Sequence, residues 1–344
     1  PLIWSMLITS LATSTIITMA SHHWLLAWLG LELNTLSILP LIMKSHHPRA
    51  TEATTKYFII QTSAAALILF ASTMNAWQTG HWSIISSPSH QTTLIATTAL
   101  LLKMGIAPVH LWYPEILQGT TMNIALTIAT WQKIAPLSLL MLMHAHLPAP
   151  LIVLTGLTSA LVGGLTGLNQ TQTRKIMAFS SIAHMGWVLM TLMLTPQLTT
   201  LTFTIYIITT LATFTPLATT TTKTMTDTNT AWSNSPMLLT LTMLSLMSLG
   251  GLPPLTGFLP KLLVLNGLIT KNLLPLGTSI ALASLPSLFF YIRLAYFTML
   301  TNPPNNTNTK YNWRFKPHTQ KSLPTTTALA LLLLPLTPLV YLTT

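Results

Sequence analysis

The sequence contains no cysteine and very few charged residues. Asp, Glu, Lys and Arg together make up 6% of the 344 residues, against roughly a quarter in an ordinary soluble domain. This scarcity of charge excludes a water-soluble globular protein. The lack of cysteine excludes thiolate nucleophiles, disulfides and cysteine-ligated iron–sulfur clusters. A redox centre of that kind must therefore lie in another chain.

Acidic residues are the rarest charged class. Four Asp and Glu residues stand against 15 Lys and Arg residues, which gives a formal net charge of +11. A nucleic-acid-binding protein would cluster its basic residues on one face, whereas most of those in this chain lie in short segments between hydrophobic runs. The excess of positive charge therefore indicates membrane topology rather than a nucleic-acid partner.

The sequence is rich in hydrophobic runs of about 20 residues, the length that crosses a bilayer as a helix. We expect an all-α, polytopic membrane protein of about eleven transmembrane helices. The predicted spans lie near 3–20, 23–43, 52–77, 92–112, 122–144, 150–170, 174–194, 199–219, 236–270, 275–300 and 324–343. The 236–270 run is too long for one straight helix and is interrupted by glycine and proline, so we predict a broken helix there.

The basic residues of the predicted loops lie almost all on one side of the membrane. If the N-terminus is on that side, nine Lys and Arg residues are there and only Lys271 is on the other side. The positive-inside rule then places the N-terminus in the matrix or cytoplasm. The nine are Lys44, Arg49, Arg174, Lys175, Lys223, Lys310, Arg314, Lys316 and Lys321.

The order of the spans predicts two repeats of five helices, 1–145 and 150–300, in opposite orientations. A basic matrix-side loop over 301–323 and a C-terminal transmembrane helix over 324–344 complete the chain. In each repeat the fourth span combines a lysine with glycine and proline, as LLKMGIAPVHLWYPE at 101–115 and LGGLPPLTGFLPK at 249–261. Corresponding interruptions in two inverted halves point to a transport site.

Four ionisable residues fall deep inside predicted spans: Glu32, Lys103, Lys133 and Lys261. Each costs at least a few kcal/mol at the bilayer centre unless it faces protein, water or an opposite charge. We interpret them as a proton or ion pathway, with structural ion pairs between helices as the alternative. His184, inside the seventh span, is a further candidate because histidine exchanges protons near neutral pH; a packing role is its alternative.

Prolines lie close to these lysines in the sequence. A proline cannot donate a hydrogen bond to the carbonyl four residues before it. Pro108 is therefore expected to free the carbonyl of Met104, next to Lys103, and Pro136 that of Gln132. Freed carbonyls beside a buried lysine offer water a binding partner, which favours a water-linked proton path.

Two other patterns predict packing rather than chemistry. Glu52 and Lys56 are four residues apart on one helical face, the spacing of a structural ion pair. Gly163, Gly164 and Gly167 supply a small-residue face for close helix packing. They do not form a phosphate loop, because no GxGxxG or Walker sequence occurs in the chain.

Five segments resemble the subunit 2 family of mitochondrial respiratory complex I, an antiporter-like family related to cation/proton antiporters. They are LAWLGLELNTLSILPL (26–41), HHPRATEATTKYF (46–58), KMGIAPVHLWYPE (103–115), GLNQTQTRKIMAFSSIAHMGW (167–187) and MSLGGLPPLTGFLPK (247–261). The resemblance extends over nearly the whole chain and implies one antiporter-like membrane domain over 1–344. It places the family's membrane glutamate on Glu32, the broken-helix lysines on Lys103 and Lys261, and the central lysine on Lys133.

The resemblance also implies a function. We expect a core subunit of the proton-translocating NADH:ubiquinone oxidoreductase in the mitochondrial inner membrane, with its N-terminus on the matrix side. Its partners would be the other membrane subunits, including neighbouring antiporter-like ones, and lipids. No cofactor is expected in this chain, since NADH, flavin, iron–sulfur clusters and ubiquinone would bind other subunits. The alternatives are a free-standing cation/proton antiporter and a non-transporting membrane scaffold.

Overall fold

The structure is a computed structural model that describes residues 2–44, 46–85, 89–231, 236–299, 323–336 and 338. Over these residues the chain is helical, with two isolated β-bridges and no strand. The all-α prediction is confirmed. The predicted basic loop, except Leu323, lies outside the described residues, as do most residues of the predicted C-terminal helix beyond Leu336.

The chain divides into two compact units, Pro1–Thr155 and Gly156–Thr344, called unit 1 and unit 2 below. The helices of unit 1 are α1 (Leu2–Ala20), α2 (Trp24–Met43), α3 (Pro48–Thr79), α4 (His90–Met104), α5 (Trp112–Gly119), α6 (Met122–Ala129) and α7 (Trp131–Leu142). Helix α8 (Ala149–Leu168) contains the boundary between the units. The predicted repeats, 1–145 and 150–300, and their inverted orientation stay predictions.

The described helices of unit 2 are α9 (Thr173–Leu192), α10 (Pro196–Thr219), α11 (Met225–Thr230), α12 (Pro236–Gly250), α13 (Phe258–Thr270), α14 (Leu274–Met299) and α15 (Leu323–Leu332). Helix α9 lies at the centre of this unit, since 89% of its apolar window is buried. It packs against α10, α13 and α14. A side chain on α9 can therefore contact three neighbouring helices.

Among the described residues, eight segments are long and apolar enough to cross a membrane: α1, α2, α3, the α6–α7 pair, α8, α9, α10 and α14. Helices α12, α13 and α15 are shorter and apolar. Many of their threonine and serine hydroxyls bond back to the carbonyl three residues earlier, as Thr18 does to Thr15 and Ser245 does to Thr242. This local bonding makes hydroxyl side chains acceptable inside apolar helices.

Glycines set the close approaches between helices, as predicted for the 163–167 face. A Cβ atom on Gly163 would lie 2.7 Å from the Ala183 nitrogen, and one on Gly164 would lie 3.1 Å from the Pro286 side chain. Both distances are shorter than ordinary van der Waals contacts. The absence of a side chain therefore lets α8 approach α9 and α14 in unit 2.

The predicted span 92–112 is wrong as a single helix. Helix α4 ends at Met104, where Gly105 adopts a left-handed conformation with φ of 69° and donates to the carbonyls of Leu101 and Leu102. Glycine adopts this conformation without a steric penalty. The helix therefore ends before Pro108, and its end is due to Gly105 rather than to a missing proline donor. The predicted span 122–144 agrees with the candidate span Met122–Leu142, in which α6 and α7 are separated at Thr130.

The predicted break in 236–270 is confirmed. Helix α12 ends at Gly250 and α13 begins at Phe258. Gly251 has φ of 81°, and a Cβ atom on it would lie 2.9 Å from Lys261 Nζ. A Cβ atom on Gly257 would overlap the Ser248 carbonyl oxygen. Both positions therefore require glycine, and the break brings Lys261 to the end of α12.

Candidate functional site

Two of the predicted lysines share a cavity in unit 1. Lys103, in the last turn of α4, is 6% exposed and Lys133, on α7, is 2% exposed. Both line a cavity of about 10 Å³, roughly the room that one water molecule needs. Its polar walls include Asn34, Gln61 and Gln132. The structure thus brings together two residues that the sequence marked separately.

Glu32 belongs to the same region through its charge. The Glu32 carboxylate attracts the Lys103 ammonium group, although no ion pair within 4.0 Å joins them in the described part of the chain. Glu32 Oε2 and Lys103 Nζ are both buried without a hydrogen-bond partner among the described residues. Because buried charges are poorly screened, a small change in the distance between Glu32 and Lys103 would strongly change their attraction.

Each of the two glutamines of this site donates a hydrogen bond to a residue of another helix. Gln61 Nε2, on α3, donates to the Lys103 carbonyl oxygen at 3.2 Å. This bond occupies one of the carbonyls that the end of a helix leaves unpaired. Gln132 Nε2 donates to Asn34 Oδ1 at 3.1 Å. Sequence reasoning missed both glutamines, whose only signal was an amide within an apolar run.

Lys133 is held beside an aromatic ring. Its Nζ lies 5.0 Å from the centre of the Tyr113 ring, a cation–π distance. Tyr113 is itself buried, in the first turn of α5. Pro136 lies within α7, so it cannot pair with the Gln132 carbonyl, as predicted from the sequence.

Lys261 forms a different arrangement in unit 2. Its Nζ donates to the Gly250 carbonyl oxygen at 2.8 Å, at the last residue of α12. Helix carboxyl ends have unpaired carbonyls and a partial negative charge, both of which favour a cation. The Lys261 ammonium group also lies 5.9 Å from the Trp187 ring centre. The broken helix therefore provides the lysine with its binding partner.

His184 and Lys261 line one cavity of about 30 Å³ in unit 2. The His184 Nε2 atom lies 3.2 Å from the Tyr291 hydroxyl. The ring of Tyr206 is 5.8 Å from the His184 ring. Both tyrosines are buried within candidate spans, a signal that sequence reasoning left unused.

The predicted ion pair of Glu52 and Lys56 is confirmed, and a third residue joins it. Lys56 Nζ lies 2.6 Å from a Glu52 oxygen and 2.6 Å from a Glu115 oxygen. The side chains of all three are substantially exposed. This cluster is separate from the two cavities described above.

Two family models together match most of the chain. The model described as NADH:quinone oxidoreductase/Mrp antiporter, transmembrane, matches residues 21–285. The model described as NADH dehydrogenase subunit 2 C-terminus matches residues 288–341. The first match includes all five predicted site residues.

Curated relatives from vertebrates match the chain over nearly its full length. NADH-ubiquinone oxidoreductase chain 2 of Carassius auratus is 50% identical over 340 residues, 98% of this chain and 97% of the relative. The protein of the same name from Gallus gallus is 48% identical over 335 residues, 96% of each chain. Both identities lie far above the level at which only a fold is shared.

Solved structures show the same fold at lower identity. A chain of respiratory complex I from Thermus thermophilus has a TM-score of 0.85 and 23% identity, covering 99% of this chain and 80% of that chain. A chain of the Mrp complex from Dietzia sp. DQ12-45-1b has a TM-score of 0.82 and 15% identity, covering 98% and 76%. These two similarities establish the architecture alone.

Proposed function

Because this chain belongs to the NADH:quinone oxidoreductase/Mrp antiporter membrane family, as its NADH-ubiquinone oxidoreductase chain 2 member, we propose that its buried lysines translocate protons. The chain is a multi-pass membrane subunit of complex I, and its vertebrate relatives place it in mitochondria. The observation that carries the proposal is the shared cavity of Lys103 and Lys133 within reach of the Glu32 charge.

In unit 1, Lys103 and Lys133 would exchange a proton through the cavity between them. Burial favours the neutral amine of a lysine, and a nearby carboxylate favours the ammonium form. Glu32 acts on Lys103, whereas Lys133 has the Tyr113 ring beside it. A movement that changes the distance between Glu32 and Lys103 would therefore decide which lysine holds the proton.

In unit 2, Lys261 and His184 would form the corresponding pair. The Gly250 carbonyl holds the Lys261 ammonium group at the break between α12 and α13. Irregular backbone of this kind is tolerated at membrane depth where it lines a polar cavity or is buried in protein. His184 would exchange protons with Lys261 across their common cavity.

Orientation and redox chemistry are further parts of the proposal. The excess of Lys and Arg in loops on the side of the N-terminus supports a matrix location for that end. Electron transfer from NADH to ubiquinone, with its flavin and iron–sulfur clusters, would take place in other subunits. This chain would contribute residues that hold and move protons.

The test is neutral replacement of Lys133 and Lys261 by methionine in the assembled complex. We expect near-normal abundance on native gels with reduced proton pumping and ubiquinone reduction, because methionine keeps side-chain length and removes the charge. Lys44→Met is the control, since Lys44 is exposed at the end of α2. Loss of assembly in parallel with activity would support the scaffold alternative. Sodium transport by the purified chain alone would support the free-standing antiporter.

A further inference from the structure

The break between α12 and α13 is bonded to the C-terminal part of the chain. Thr256 lies in this break and is 1% exposed. Its hydroxyl donates a hydrogen bond to the carbonyl oxygen of Ala330, a fully buried residue in the last turn of α15. Carbonyls in the last turn of a helix commonly lack partners within that helix. Thr256 therefore supplies a donor to a buried acceptor of a distant segment.

An apolar contact joins the same two parts of unit 2. Leu333, directly after α15, belongs to a buried apolar cluster with side chains of α10. Leu259 and Leu263 of α13 pack against this cluster. In the sequence these two leucines lie two residues before and two residues after Lys261. The C-terminal segment thus holds both the break and the part of α13 that carries Lys261.

The position of Lys261 depends on the shape of the break. Its Nζ donates to the Gly250 carbonyl oxygen at 2.8 Å, so this bond joins α13 to the end of α12. Residues 251–257 lie between the two helices. A displacement of these residues changes the distance between the ammonium group and the carbonyl, and a hydrogen bond weakens steeply when its geometry is lost.

We propose that Thr256 is a positioning residue, through which the C-terminal helix α15 holds the break in the shape that keeps Lys261 at the Gly250 carbonyl. Lys261 lies in the part of the chain that the antiporter model matches, whereas α15 lies within 288–341, the part that the subunit 2 C-terminus model matches. The C-terminal part of the chain thus acts on its proton-transfer part. This inference rests on the proposed function, because it specifies how Lys261 is kept in place for proton transfer.

The bond matters for transfer because a proton moves only between groups that are close and aligned. Lys261 and His184 face the same cavity of about 30 Å³. With the break fixed, Lys261 returns to the same place after each proton is released. Without the Thr256 bond the break has other shapes available, so the fraction of complexes with Lys261 in place falls, and the rate falls with it.

The experiment replaces Thr256 in two ways in the assembled complex. Thr256→Val exchanges the hydroxyl for a methyl group of similar size and leaves the Ala330 carbonyl without this donor. Thr256→Ser keeps the hydroxyl and removes the methyl group. The readouts are ubiquinone-coupled NADH oxidation and proton pumping, both per assembled complex, beside complex abundance on native gels.

We expect Thr256→Val to lose about fivefold in coupled rate and Thr256→Ser to stay near the wild-type rate. A fivefold loss corresponds to ~1 kcal/mol, the usual contribution of one hydrogen bond. The serine variant separates the bond from packing. If the methyl group of Thr256 mattered instead, Thr256→Ser would be the slower variant of the two.

Thr242 offers a matched control in the same unit. It lies on α12, is 2% exposed and donates its hydroxyl proton to the Leu239 carbonyl at 2.8 Å. Thr242→Val therefore removes a buried hydroxyl whose bond stays within one helix. This variant should keep the wild-type rate.

A combined variant tests whether Thr256 acts through Lys261. In the Lys261→Met complex there is no ammonium group to position, so adding Thr256→Val should cause no further loss of the remaining rate. A second fivefold loss would show that Thr256 acts elsewhere and would overturn the inference. If the remaining rate is too low to compare, the order of Thr256→Val and Thr256→Ser decides.

The outcomes separate this inference from the proposed function. If Lys261→Met is defective while Thr256→Val has the same rate as Thr242→Val, the inference is overturned and the proposed function stands. Equal losses in Thr256→Val and Thr256→Ser also overturn the inference, because the serine keeps the hydroxyl. If Lys261→Met pumps normally, the proposed function itself fails. Should Thr256→Val lower the abundance of the complex, the rate per remaining complex is compared.

Discussion

Lys103 and Lys133, which project from different helices of unit 1, line the same buried cavity. Two ammonium groups repel each other strongly in a small buried cavity, where little water screens them. The arrangement therefore favours one protonated lysine at a time, with the Glu32 charge acting on Lys103. A pair of this kind can pass a proton when the balance between its members changes.

Glu32 is expected to act through its charge. Glu32→Gln keeps the size and polarity of the side chain but removes the attraction on Lys103. It should therefore reduce coupled turnover nearly as much as Glu32→Ala. Ubiquinone-coupled NADH oxidation in membranes measures both variants. A fully active Gln variant beside an inactive Ala variant would show instead that shape or hydrogen bonding matters at this position.

Gly257 is expected to be essential for the break between α12 and α13. Gly257→Ala would push a methyl group into the Ser248 carbonyl, and displacement of the backbone there should lower complex abundance. Gly277→Ala is the matched control, because the atoms nearest to its added Cβ lie 3.9 Å away. Quantitative native gels compare the two. Equal abundance of both variants would show that the break tolerates a side chain.

The exposed cluster of Glu52, Lys56 and Glu115 is expected to have little part in transport. Exposed ion pairs contribute roughly 0–1 kcal/mol each, so Glu52→Gln should leave proton pumping and complex abundance near the wild-type level. Proton pumping in reconstituted vesicles is the measurement. A large loss of pumping at normal abundance would extend the proton pathway to this cluster.

The helices and the buried charges could be predicted from the sequence because both follow from the residues of a single short segment, without knowledge of its neighbours in the fold. An apolar run of bilayer length predicts a helix wherever it lies, and a charge within it is expensive unless it faces protein, water or an opposite charge. Glu32, Lys103, Lys133 and Lys261 were identified on this ground. The break after Gly250 was visible for the same reason, since glycine and proline interrupt helices locally.

Contacts between distant segments could not be predicted in this way. Lys56 pairs with Glu115 as well as with its helical neighbour, and His184 contacts Tyr291 of another helix. Such partners depend on how helices pack, which a single sequence does not reveal. The end of α4 at Gly105 was missed because one glycine in an apolar run is compatible with a continuous span.

The central claim is that buried lysines carry the proton, and Lys103 tests it most directly. Its Nζ has no hydrogen-bond partner among the described residues, so Lys103→Met breaks no hydrogen bond of that atom, and the variant complex should assemble normally. Proton pumping by the reconstituted variant complex is measured beside Lys44→Met, which removes an exposed charge, and beside NADH oxidation with a soluble artificial acceptor. The account predicts a strong loss of pumping and ubiquinone reduction for Lys103→Met alone, with artificial-acceptor activity intact. Normal pumping by a fully assembled Lys103→Met complex would contradict it.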